Sequence, residues 1–330
     1  MLEADVEVDR RDFPVRARLA VAAGERLALF GPSGAGKTTL LEAIAGLIAP
    51  RRARITLGDR VLSSTERPAT AVPPWQRRIG LLRQDPGLFP HLSVRGNLRY
   101  AGAPPEAEVR QIAVALGIDG LLDAMPARLS GGQAHRVALG RLLLARCDAL
   151  LLDEPYTGLD ASLRTTLTEL VIGLVAQRGV PAILVAHELD QAQAFADRLA
   201  VLDRGAMLQE GAPGEVVLRP ASQRVAELVG YGAFLPADVP GATTGVHPDR
   251  VLLGRHPDLG MVLAGVVTAC TPSGARWQVQ LATVGGQVTG RLAEPATAGQ
   301  RLVITAIAPP VFGADGRAVP AEPLGDGAVA

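Results

Sequence analysis

Apolar and polar residues alternate with period two through the first thirty positions, in VEVDR and again in FPVRARLAV. This pattern predicts two antiparallel strands joined by a short turn. GERLALF is more continuously apolar and reads as a buried strand, followed by a glycine loop that runs into the helix of GPSGAGKTTLLEAIAGL. RRARITLGDRVL predicts a further hairpin and RRIGLLRQ a short strand. From about Pro104 to Leu129 the period becomes helical, with Val109, Ile112, Ala113 and Leu116 on one face. Ser130 opens another helix, GGQAHRVALGRLLLARC, and the run ALLLDE has the wholly apolar character of a central parallel strand. A helix around Ser162–Gln177, the strand PAILVAH, a helix around Leu189–Asp197 and a last strand, LAVLDRG, follow. Strands alternating with helices predict an α/β fold with a parallel sheet, here carrying an antiparallel layer at the N-terminus.

Beyond this the pattern changes. YGAFLPADVPGATTG marks a shift in composition, and residues 233–244 read as a linker. From Gly245 to Gly313 there are only short alternating strands, which predict a small β-barrel over 245–313. Residues 314–330 lack any periodicity and are expected to be a disordered tail.

Composition adds three points. Lys+Arg and Asp+Glu are both 33, so there is no global basic field to bind nucleic acid. Cys147 and Cys270 are far apart and form no CxxC pair, which fits a reduced compartment and excludes a disulfide scaffold. The N-terminus lacks the basic-then-apolar order of a signal peptide, and nowhere do 18 apolar residues run together. A cytoplasmic, soluble polypeptide is expected. Lys37 is the only lysine in a chain otherwise rich in arginine, so it calls for a chemical explanation.

The explanation is its place in GPSGAGKT, Gly31–Thr38, which matches the phosphate-binding loop G-x-x-x-x-G-K-[ST] between a strand and a helix. In that loop Gly31, Pro32, Ser33, Gly34, Ala35 and Gly36 cradle phosphate with backbone N–H groups at a helix N-terminus. Lys37 would reach the β- and γ-phosphates of a bound nucleotide, the Thr38 hydroxyl would ligate Mg²⁺, and Thr39 is counted with the nucleotide-binding residues. ALLLDEP puts Asp153 and Glu154 at the end of a buried strand. There one carboxylate completes the Mg²⁺ shell and the other polarises the attacking water.

LSGGQ at Leu129–Gln133, followed by RVALGR, resembles the signature of ABC-transporter ATPases. Gln84 in LLRQDPGLFPHLSV, Asp160 in TGLD and His187 in LVAHE follow in that family's order. The resemblance implies a P-loop NTPase with an antiparallel layer and a helical signature subdomain at about 86–145, together spanning 1–232, and then an OB-like barrel. It implies a head-to-tail homodimer in which Ser130, Gly131, Gly132 and Gln133 of one copy bind the γ-phosphate held by the other. Asp160 would link the two sites. Gln84 would contact Mg²⁺ and sense the γ-phosphate, Glu154 would activate water, and His187 would hold the γ-phosphate and that water. ATP and Mg²⁺ are the implied cofactors. Phe13 is the one aromatic of the first hairpin, open both to stacking on adenine and to packing in the strand core.

FPHLSVRGNLRY is similar to the molybdate-importer ATPases, and the C-terminal strands to their Mop/TOBE-like barrel. The implied protein lies peripherally on the cytoplasmic face of the inner (plasma) membrane. It would contact two permease copies through Gln84–Tyr100, serve a substrate-binding protein indirectly and import molybdate or tungstate. Sulfate, ferric iron, sugar and polyamine are alternative cargoes. GVHPDRVLLG departs from the family's entry strand at His247 and Arg250. RHPDLGMVLAG stands where molybdate-type barrels carry S-x-R-N, which argues for a dimerisation and regulatory barrel without its own oxyanion. A DNA-repair or translation ATPase would be expected to have two ATPase domains or a coiled-coil insertion. An oxyanion regulator would need the barrel as its working end.

Overall fold

Each strand of the N-terminal hairpin buries only one face, which is why its sequence alternates. The computed structural model describes residues 1–320 apart from Ala101, Gly158 and Asp238. Strands β1 (Leu2–Val8) and β2 (Val15–Val21) pair antiparallel, from Leu2↔Val21 to Val8↔Val15, with Leu2, Ala4, Val6, Val15, Leu19 and Val21 in the core. β3 (Arg26–Phe30) is buried from Leu27 onward. It leads into α1 (Lys37–Ala45), the hairpin β4 (Arg52–Leu57) and β5 (Arg60–Ser64), the short β6 (Thr70–Ala71), and β7 (Ile79–Leu82). Three helices come next: α2 (Val94–Tyr100), α3 (Glu106–Ala115) and α4 (Gly131–Leu144). The first unit ends with β8 (Ala149–Asp153), α5 (Ala161–Arg178), β9 (Ala182–Ala186), α6 (Leu189–Phe195), β10 (Arg198–Asp203) and β11 (Ala206–Gly211).

All eleven strands lie in one sheet, ordered β6-β5-β4-β1-β2-β11-β10-β3-β9-β8-β7. The five strands β10, β3, β9, β8 and β7 run parallel, and β6 to β2 form an antiparallel wing. The sequence reading ended the sheet at LAVLDRG and lacked β11. That strand pairs antiparallel with β10 and meets β2 at Ala206↔Arg16, so it joins the wing to the parallel core. Its turn is Arg204-Gly205, both with positive φ (44° and 76°), as a two-residue hairpin requires. An arginine in the first turn position hides that signal.

The helical stretch expected over Pro104–Leu129 is one helix and two single 3₁₀ turns. Val109, Ala113 and Leu116 are buried as the periodicity predicts, and Gly117 at φ 59° stops the helix just beyond.

The chain divides after Pro213 into units Met1–Pro213 and Gly214–Ala330. α7 (Pro213–Leu218) and α8 (Gln223–Leu228) therefore belong chiefly to the second unit, not to an ATPase domain ending at 232. The expected linker, 233–244, instead carries β12 (Ala233–Pro236) and the start of β13 (Thr243–Val246), paired antiparallel. The strands β14 (Val251–Leu253), β15 (Gly260–Ser273), β16 (Arg276–Thr283), β17 (Gly286–Leu292) and β18 (Arg301–Ile307) form an antiparallel half-barrel, ordered β14-β18-β15-β16-β17. Val279, Leu281, Val288 and Ile304 fill its core. β19 (Val311–Phe312) returns to pair with β13. Of the expected disordered tail, 314–320 is placed, with Arg317 bridged to Ser222; residues 321–330 lie outside the described residues.

Candidate functional site

Sheet register determines what meets at the site. Phe30 lies level with Ala186, and Asp153 with Val185, so β3, β8 and β9 end side by side. The phosphate loop leaves β3, Glu154 follows β8 and His187 follows β9, at the carboxyl edge where parallel sheets bind ligands.

The phosphate loop is built by close approach. Gly31 has φ 149°, and a Cβ there would sit 1.9 Å from the Leu202 carbonyl oxygen. Gly36 caps α1 without a side-chain bond, and the first turn holds no acidic residue. Its N–H groups and positive dipole end are thus uncompensated, a ready anion site. Ser33, Gly34 and Thr38 are exposed at its mouth, while Ala35 N–H bonds the Pro32 carbonyl at 3.2 Å. Lys37 is buried and folds over its own loop, donating to Gly31 O at 2.7 Å and Pro32 O at 2.9 Å. Burial lowers its pKa, partly offset by Glu154 and Asp153 nearby.

Asp153 is buried, and its Oδ1 has no hydrogen-bond partner. Burial raises its pKa, against the pull of the Thr38 hydroxyl and the Lys37 ammonium. An ionised carboxylate with an unpartnered oxygen beside a hydroxyl is a suitable donor set for Mg²⁺. Among the described residues no cluster of three His, Cys, Asp or Glu side chains forms a protein-only cage.

Glu154 holds a left-handed backbone, φ 49°, and its N–H bonds the Val185 carbonyl at 3.2 Å. A non-glycine residue in that region costs free energy and is found where a fold over-determines a functional turn. Gln84 Nε2 donates to Glu154 Oε2 at 3.0 Å, and His187 Nδ1 lies 3.7 Å from the same oxygen. A network absent from the sequence reading backs His187. Its Nε2 is 3.7 Å from Glu188 Oε1, while Arg164 and Gln191 bond Glu188 Oε2 at 2.6 and 2.8 Å. The available signal was Glu188 directly after His187, with Arg164 one turn into α5.

The structure therefore brings together Lys37, Thr38, Gln84, Asp153, Glu154 and His187. It does not bring the signature to them. Among the described residues, no hydrogen bond or ion pair joins Ser130–Gln133 to the phosphate loop. Ser130 Oγ accepts the Gln133 N–H at 3.2 Å, and Gln133 Oε1 accepts the Ser130 N–H at 2.8 Å, a reciprocal capping box on α4. Asp160 caps α5 by accepting the Leu163 N–H at 2.9 Å. Phe13 packs against the core, its ring beside Gly205.

This architecture is that of an ATP-binding cassette, and comparison with known proteins agrees. The family model described as "ABC transporter" matches residues 16–157. The sn-glycerol-3-phosphate import ATP-binding protein UgpC 3 of Rhizobium etli is 36% identical over 294 residues, covering 82% of each chain. The Fe(3+) ions import ATP-binding protein FbpC of Pseudomonas fluorescens is 43% identical over 226 residues, 67% of this chain and 63% of the relative. The molybdenum import ATP-binding protein ModC of Mycobacterium tuberculosis is 41% identical over 236 residues, 68% and 63%. The matched part spans less than two thirds of these last two relatives. A solved dimeric ATP-binding cassette in a post-hydrolysis state, bound to ADP and Pi, superposes with TM-score 0.55 at 25% identity, covering 64% of this chain and 99% of that one. The chain belongs to the ABC-transporter ATP-binding family. Among the described residues, no helix is long and apolar enough to cross a membrane.

Proposed function

We propose that the protein hydrolyses ATP as the energy-coupling subunit of an ABC importer, acting as a head-to-tail homodimer on two copies of a membrane permease. The observation that carries this is the convergence of Lys37, Asp153, Gln84, Glu154 and His187 at the ends of β3, β8 and β9. On this reading ATP lies along the N-terminus of α1, and Lys37 turns from its own carbonyls to the β- and γ-phosphates. Thr38, Asp153 and Gln84 would hold Mg²⁺, which supplies charge neutralisation at the phosphates. Glu154 accepts a proton from water as the water oxygen bonds to the γ-phosphorus and the bond to the ADP oxygen breaks. His187, backed by Glu188, holds the γ-phosphate. Ser130 and Gly131 of the second copy close the site, and Asp160 links the two.

Gln84 also begins the permease-facing segment. Beside it lies a groove of about 420 Å³ whose lining includes Arg83, Asp85, Tyr100 and Arg141. Buried Asn97 and half-buried Arg141 brace the segment next to it: Asn97 ties Phe89 from both sides, and Arg141 covers the Phe89 ring at 5.1 Å. This braced rim supports docking of a permease helix there. A shift of the rim would reach Glu154 through a single hydrogen bond from Gln84, which gives coupling a route.

For cargo we propose an oxyanion, molybdate or tungstate, supported by the FPHLSVRGNLRY segment and by the likeness to a molybdenum import protein. Relatives named for ferric iron and glycerol phosphate share the same engine, so the cargo is tested separately from the ATPase. Uptake of labelled molybdate is measured in cells that lack their own molybdate ATPase and carry the cognate permease and binding protein. Uptake restored by the wild type, lost with Glu154→Gln, and competed by tungstate but not sulfate is expected. ATP hydrolysis by the purified protein without molybdate uptake would keep the engine and overturn the cargo.

A further inference from the structure

Arg10 lies in the turn between β1 and β2, and its Nη1 donates to Thr39 Oγ1 at 3.1 Å, on the first turn of α1. Nothing in the motif reading called for it. Among the described residues, no carboxylate lies within ion-pair distance of Arg10. Arg51, by contrast, has Glu7 and Asp9 beside it. The guanidinium instead approaches the positive end of α1, whose first turn contains no acidic residue and which already carries Lys37. Like charges gathered at a helix N-terminus repel, and such an arrangement is stabilised when an anion lies among them.

We propose that Arg10 is a nucleotide-binding residue that pairs with the α-phosphate. The inference rests on the ATP-binding reading of the phosphate loop. Lys37 and Thr38 serve the β- and γ-phosphates and their metal, so the next hydroxyl along the helix, Thr39, faces the α-phosphate. A guanidinium has five N–H donors, and the bond to Thr39 uses one of them, leaving a fork matched to a phosphate's oxygens. The exposed turn holds this group over Thr39 without burying it, so nucleotide binding does not require moving it into the core. The arrangement also supplies a contact on the nucleoside side of the triphosphate in a chain whose first-hairpin aromatic, Phe13, packs on the sheet. Arg10 thus replaces some of the affinity that stacking on an aromatic would give.

The test is equilibrium binding of ATP, ADP, GTP and CTP to full-length wild type, Arg10→Ala and Arg10→Lys at several ionic strengths. One charge-assisted hydrogen bond corresponds to roughly a tenfold change in Kd. Arg10→Ala is expected to lose about that factor for all four nucleotides alike, with the thermal midpoint of the nucleotide-free protein unchanged. Its affinity is expected to depend less on salt than the wild type's, and Arg10→Lys to recover part of the loss. Wild type that binds ATP while Arg10→Ala binds equally well would overturn the proposal. A loss confined to the purine nucleotides would also overturn it, because the guanidinium would then act on the base. Wild type that binds none of the four would instead overturn the ATP-binding reading itself.

Discussion

Two glycine-bearing loops at helix N-termini, those of α1 and α4, are finished differently. α1 begins at Gly36 with no side-chain cap and no acidic residue, and its lysine bonds only its own loop carbonyls. α4 begins at Ser130 with a complete reciprocal cap that satisfies the Ser130 and Gln133 N–H groups. The first is an anion site in its own chain, surrounded by Asp153, Glu154 and His187. The second is locally content, but the cap leaves three donors unspent: the Gly131 and Gly132 N–H groups and the proton of the Ser130 hydroxyl, which only accepts within the cap. Gly131 is also a glycine that its own fold does not require. A Cβ there would meet nothing within 4 Å, and its φ is not in the left-handed region. A helix bearing such a glycine gives up stability of about 1 kcal/mol relative to alanine. That cost makes sense if something from outside must come close to it.

The largest effect expected is on Glu154, which belongs to neither helix. Glu154→Gln should slow phosphate release by roughly 10²–10⁴-fold, the usual worth of a general base, while ATP binding and thermal midpoint stay near wild type. Gly131→Ala should separate the two loops most sharply. Measured by thermal unfolding the variant should gain up to about 1 kcal/mol, yet hydrolysis should fall by roughly 10²-fold, as when one phosphate donor is misplaced. Equal hydrolysis by this variant would remove the case for a ligand at α4. Ser130→Ala should cost about 1 kcal/mol through loss of the cap and should also lower hydrolysis. Restoring the cap with Asp should recover the stability but not the activity, since a carboxylate repels phosphate. The smallest effect concerns Phe13. Phe13→Leu should lower stability by about 1 kcal/mol through poorer packing and change the ATP dissociation constant less than about threefold.

Much of the catalytic half was readable from the sequence because its signals are local. GPSGAGKT, ALLLDE and LVAHE each place, at or just after a strand end, a residue proposed to do the chemistry. The parallel sheet then only has to end these strands level, as it does. The missed features leave no clear local mark in the sequence. β11 was hidden behind an arginine in a left-handed turn position. β12 lay inside an apparent linker because its pairing with β13 leaves no periodic mark over four residues. The Ser130–Gln133 pair reads equally as a ligand motif and as a capping box, and the sequence does not distinguish one from the other. Arg10 reaches Thr39 across 29 residues, a contact that only the β1–β2 hairpin creates.

The central claim is that one chain's phosphate loop is completed by another chain's signature. Complementation tests it most directly: Lys37→Ala and Gly131→Ala proteins are assayed for ATP hydrolysis alone and after mixing. Each is expected to be nearly inactive alone. In a head-to-tail pair of one copy of each, one site combines an intact loop with an intact signature. Mixing should therefore restore hydrolysis well above either parent. A mixture as inactive as its components, under conditions where mixed dimers are demonstrated, would contradict the account and put loop and signature of the same chain in one site.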